Sequence, residues 1–154
     1  MSYIVRGLDP APYQPLFGSS AEELAKVGVV RMAVDGPGFP CRVSLTDRAI
    51  GETVLLLNHV SHDVANPYRA SHAIFVTEAE QGAAEYVDSV PPVFETRVLS
   101  LRGFDRDGMM ADAILTQPGE ADGGIRKLFA NPGIETIHAH NATRGCFSAK
   151  IERN

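Results

Sequence analysis

A chain of 154 residues with 44% hydrophobic and 21% charged residues has the size and composition of one ordinary globular domain, so residues 1–154 are read as a single domain. A formal net charge of −5, with no block of Lys or Arg, leaves no basic surface for nucleic acid. The longest apolar run, TVLLLNHV, is too short to cross a bilayer, and MSYIVRGLDP lacks the pattern of a signal peptide, so no membrane partner and a cytoplasmic location are expected.

Pro and Gly punctuate the chain at short intervals, as in a protein of many short strands. The first expected helix is GSSAEELAKVG, where Ser20 caps the start, Glu23 completes a capping box and Gly28 stops it. Short strands follow in VVRMAV from Val29, CRVSL from Cys41, TVLLLNHV from Thr53 and AIFVTE from Ala73. Thr53 to Val60 is apolar at both alternating sets of positions, which predicts a central strand covered on both sides. FETRVLSLRGF and MMADAILTQ flank DRDG, whose Asp107-Gly108 predicts a tight hairpin turn. DRDG also begins like a calcium loop, but the glutamate such a loop needs at its twelfth position is missing. EADGGIRKLFANPG predicts a second helix with Ile125, Leu128 and Phe129 on one face. IETIHAH and CFSAKIER complete the pattern. The predicted fold is α+β, a mainly antiparallel sheet of about eight short strands with two short helices.

HAHNATRGC, from His138 to Cys146, gathers two of the five histidines and one of the two cysteines. Alternation puts Thr136, His138 and His140 on one face and Ile137 and Ala139 on the other. On the returning strand Cys146, Ser148 and Lys150 alternate with Phe147, Ala149 and Ile151. A register that sets His140 opposite Cys146 and His138 opposite Ser148 makes both the polar and the apolar rows coincide. Directly opposed Cβ atoms lie roughly 5 Å apart, so the imidazole and the thiol would touch.

Cys41 and the other three histidines fall in PCRVSLTDRAIGETVLLLNHVSHDVANPYRASHAIFV, with His59 and His62 near the exit of the expected central strand and Tyr68, Arg69 and His72 after it. PCRVSLTDRAIGETVLLL, NPYRASHAIFVTE and HAHNATRGCFSAKIER resemble the recurring blocks of a bacterial family, the domain of unknown function 1203. The resemblance spans roughly residues 39 to 152 and implies a small bacterial single-domain protein. It carries no activity, cofactor or catalytic residue to transfer.

Three chemistries fit these residues. One is nucleophilic catalysis by Cys146 with His140 or His138, Cys41 being the other candidate thiol and Asp63, Glu135 and Asn141 the candidate orienting groups. Another is a zinc or iron site in which His59, His62 or Cys41 completes a set begun by His138, His140 and Cys146. The third is binding of a small anionic molecule by Arg42, Arg69 and Arg144, each in or beside a Pro/Gly-rich loop. The leading expectation is an anion-binding site formed by Cys41, Arg42, His59, His62, Tyr68, Arg69, Asn141 and Arg144 around the Cys146/His140/His138 cluster. Outside these stands a structural or interaction protein whose strands pair into a homodimer.

Overall fold

A computed structural model describes residues 1–79 and 82–154. Among them are nine strands and three α-helices, in two antiparallel sheets. The larger sheet contains β1 (Tyr3–Arg6), β5 (Glu85–Val87), β6 (Leu99–Phe104), β7 (Met110–Thr116), β8 (Thr136–Asn141) and β9 (Phe147–Arg153), in the order β5-β1-β9-β8-β6-β7. The smaller is β2 (Val30–Ala33), β3 (Thr53–His62) and β4 (Ala70–Thr77), with β3 in the middle.

The α+β class and the antiparallel pairing agree with the sequence reading. Seven of the eight expected strands form. CRVSL does not: Leu45 N–H donates to the Cys41 carbonyl at 2.9 Å, and Leu45 sits at φ +55°, so the segment curls into a turn. β1 and β5, of four and three residues, carry too little alternation to stand out. The single-turn helix α2 (Pro92–Glu95) was likewise not expected. The helix α1 (Ala21–Lys26) starts as predicted, with Ser20 Oγ accepting from Glu23 N–H and Glu23 accepting from Ser20 N–H.

One face of the larger sheet carries Tyr3, Val5, Leu99, Leu101, Ile137, Ala139, Ala149 and Ile151 against Ile125, Leu128 and Phe129 of α3 (Ala121–Phe129). Together these form the larger apolar core. A second cluster joins Leu55, Leu57, Ile74 and Val76 of the smaller sheet to Tyr13, Leu24, Cys41 and Val43. β3 is therefore central but not covered on both sides, since Asn58 is exposed and Val60 is 39% exposed.

The 41–45 turn is pinned between the sheets. Cys41 bridges Phe75 of β4, Arg42 N–H donates to the Phe75 carbonyl at 3.0 Å, and Leu8 N–H donates to the Arg42 carbonyl at 2.8 Å. Gly7 lies so close that an added Cβ would collide with the Val43 backbone carbonyl. Gly7→Ala is expected to cost about 1–3 kcal/mol by forcing this backbone apart, measured as a lowered urea midpoint; an unchanged midpoint would show that the turn yields freely.

Candidate functional site

The face of the larger sheet away from α3 looks onto β3 and β4, and all five histidines of the chain line this seam. His62 stands edge-on to His138 at 5.0 Å between ring centroids, and His72 to His140 at 4.8 Å. Phe147, 2% exposed, sits among them, with His59, His138 and His140 at 5.6, 5.5 and 5.8 Å.

Two β-bulges produce this arrangement. In β9 the register shifts after Ala139↔Ala149, so that His140 pairs with Phe147 and Ser148 becomes the extra residue. In β3 a shift between Val60 and His62 turns His62 toward Phe104 and His138. The bulge in β9 corrects the expected register. His138 faces Lys150 rather than Ser148, and His140 faces Phe147 rather than Cys146. Ile137 and Ala139 meet Ile151 and Ala149 rather than Ala149 and Phe147, so an apolar row still faces an apolar row, but Phe147 joins the histidines instead of that row.

Burial disfavours the charged form of four of the five rings, His59, His72, His138 and His140. It holds His138 down at about 3, helped by unfavourable interactions with His62, His140, Lys150 and Arg102, and His140 down at about 4. For His140 the Nδ1–H bond to the Gly145 carbonyl, 3.0 Å, works in the other direction, while Arg102, His72 and Arg42 add to the depression. Burial lowers His59 and His72 as well. His59 Nδ1 lies 3.3 Å from the Tyr13 hydroxyl and His72 Nδ1 lies 2.9 Å from Ser61 Oγ. His62 Nε2 donates to the Gly108 carbonyl at 2.8 Å. His138 Nδ1 is buried and makes no hydrogen bond among the described residues.

At one end of the seam the 38–42 turn meets the β8–β9 hairpin. Arg42, 2% exposed, donates through Nε to the Phe147 carbonyl at 2.8 Å, through Nη1 to the Pro40 carbonyl at 2.6 Å, and through Nη2 to Cys146 Sγ at 3.2 Å. Asn141 Nδ2 donates to the same sulfur at 3.3 Å. Burial disfavours the charged form of Arg42, an effect that charge on Cys146 opposes. Among the described residues Arg42 forms no ion pair with a carboxylate. A cleft of about 370 Å³ opens here, with Arg42, Arg97, Asn141, Arg144 and Cys146 on its walls and no Asp or Glu among its lining residues.

The structure thus brings Cys146, Arg42, Asn141 and Arg144 together, and adds Arg97, which no motif marks. Arg97 is held by Asp47 through bonds of 2.6 and 2.9 Å. Cys41 is fully buried behind the cleft, where burial raises its thiol but hydrogen bonds from Ser44, Thr77 and Val43 outweigh that and hold it lower. His62 and His138 line a second cleft at the opposite end of the seam. Arg69 lies outside both clefts, exposed and paired with Asp63 at 3.1 Å, and Tyr68 stands edge-on to Phe104 at 6.4 Å. No imidazole hydrogen-bonds the Cys146 sulfur among the described residues; its partners are Arg42 and Asn141. Nor do three or more His, Cys, Asp or Glu side chains among them gather as a metal-holding group. No helix among them is long and apolar enough to cross a membrane.

The family model DUF1203, a protein of unknown function, matches residues 38–153. The chain belongs to the DUF1203 family. The DUF1203 match takes in every residue lining the arginine cleft and all five histidines, and leaves out β1, α1 and β2. Neither a curated protein nor a solved structure matches the chain.

The depressed histidines set a pH dependence. Above about pH 6.5 His138 and His140 are neutral folded or unfolded; below it the unfolded chain takes up protons that the folded chain refuses until about pH 4 and 3. Stability therefore falls as pH falls, by about 2–3 kcal/mol for the pair between pH 7 and 5.5. Urea unfolding at the two pH values measures this, and His138→Gln should remove about half of the difference. Equal midpoints for the unaltered protein would contradict the buried, neutral assignment.

Proposed function

We propose that the protein binds a small anionic molecule, through a carboxylate or phosphate, in the cleft between the 38–42 turn and the β8–β9 hairpin. The observation that carries this reading is a guanidinium, Arg42, that is 2% exposed and has no carboxylate partner among the described residues, on the wall of a cleft with no acidic lining residue. A buried charge is stabilised by an opposite charge, and an anion in this cleft supplies one. Arg144 is exposed at the mouth and forms no ion pair among the described residues, so its forked donors are open to a ligand. Arg97, tied to Asp47, contributes charge from a fixed position. Cys146 is the group on this wall able to do chemistry on what binds.

Titration with inorganic phosphate and with succinate, followed by backbone amide resonances, tests the reading. Saturable shifts are expected at Arg42 and from Asn141 to Cys146, weakened about tenfold or more in Arg144→Ala because a charge-assisted contact is lost. No shift with either anion, or equal affinity in the variant, would contradict it.

A second reading is a homodimer formed through β7. Among the described residues this strand ends the larger sheet and has one edge unpaired, and its Leu115 is 62% exposed, the arrangement that edge-to-edge pairing uses. Light scattering over a range of concentrations separates the cases: a dimer supports this reading, and a monomer throughout removes it.

A further inference from the structure

We propose that the cleft at the His62/His138 end of the seam binds a neutral polyhydroxyl ligand of the size of a single sugar ring. It shares no lining residue with the arginine cleft, so it is a separate site.

Two ring nitrogens point to a ligand here. His62 and His138 are only 8% and 3% exposed, yet both line the cleft. His62 gives its Nε2–H to the Gly108 carbonyl at 2.8 Å, which leaves Nδ1 of the neutral ring a bare acceptor that receives no hydrogen bond among the described residues. A neutral His138 also carries a single N–H. On Nδ1 that hydrogen would be sealed from solvent with no acceptor among the described residues; on Nε2, the nitrogen that is not sealed, it faces the cleft. One acceptor and one donor therefore stand side by side, on rings whose centroids are 5.0 Å apart. Hydroxyl groups answer both, because a hydroxyl oxygen takes an N–H while its own hydrogen goes to a lone pair. An alkylammonium has no lone pair for His138 Nε2–H, and a fully ionised anion has no hydrogen for His62 Nδ1.

The rest of the wall has the same mixed character. Asp107 and Glu135 bring carboxylates and Arg106 a guanidinium, none of them in an ion pair among the described residues. Lys150 adds an ammonium held by Glu152 at 2.7 Å. The carboxylates take hydroxyl hydrogens, and Arg106 and Lys150 give to hydroxyl oxygens. Val64 is the one aliphatic side chain on this wall, which offers little to an apolar ligand. A volume of about 380 Å³ suits a small molecule.

The tautomers are read first, on the unaltered chain. Long-range proton–nitrogen correlation, at a pH above the ordinary imidazole range, is expected to place the hydrogen on Nε2 of both His62 and His138. A hydrogen on Nδ1 of either ring would overturn the inference. Titration with D-glucose, D-galactose and myo-inositol, followed by backbone amide resonances, should then give saturable shifts at His62, Gly108 and His138 with at least one of the three, and none there with putrescine or phosphate. Saturation by none of the three, or shifts at these residues with putrescine or phosphate, would contradict the site. His138→Phe keeps an aromatic ring without nitrogens, and Glu135→Ala removes an exposed carboxylate; each should bind about tenfold more weakly or worse. If the ring variant does not fold, the affinity of Glu135→Ala decides alone, and an unchanged value sinks the proposal.

Discussion

The guanidinium of Arg42 joins parts of the chain that lie 105 residues apart, donating to the Phe147 carbonyl at 2.8 Å while its own turn is closed through the Pro40 carbonyl at 2.6 Å. Its third arm reaches Cys146. An arginine cannot shed its proton to escape burial, so the surrounding carbonyls and sulfur must stay in place to solvate it. The candidate site depends on this constraint. With Arg42 fixed, the 41–45 turn lies along the edge of β4, the β8–β9 hairpin lies against the turn, and the cleft is the space between them.

Behind the cleft the two sheets meet through rings rather than aliphatic side chains. Phe147 and five imidazoles fill the seam, and burial holds four of those imidazoles below their usual range. A neutral imidazole packs as a small aromatic yet keeps a polar atom that needs a partner. His140, His62, His72 and His59 find theirs in Gly145, Gly108, Ser61 and Tyr13. His138 Nδ1 finds none among the described residues, which makes it the polar weak point of the seam. The same burial that makes the rings useful as packing makes the seam sensitive to acid.

Much of this architecture was legible from residues. Ser20 and Glu23 announced α1, Ile125, Leu128 and Phe129 announced α3, and the alternation of Ile137 and Ala139 against His138 and His140 gave the faces of β8. The bulges were not legible, because an extra residue such as Ser148 leaves both strands looking regular while it changes which partner each side chain meets. That is why Cys146 was expected against His140 and is found instead with Arg42 and Asn141. CRVSL reads as strand because Val43 and Leu45 alternate, and only the long-range contacts of Cys41 and Arg42 make it a turn. Arg97 carried no signal at all, since its place in the cleft comes from tertiary packing alone.

Hydrogen exchange on Arg42→Ala, read alongside its urea midpoint, tests the central role of this side chain most directly. Loss of the guanidinium leaves the Pro40 and Phe147 carbonyls without their donor, so a fall of about 2–5 kcal/mol is expected. Exchange should rise together at the Cys41–Leu45 turn and the Asn141–Phe147 hairpin, with α3 opening only through global unfolding. Stability and exchange like those of the unaltered protein would contradict the account, because the two blocks would then be held together without Arg42.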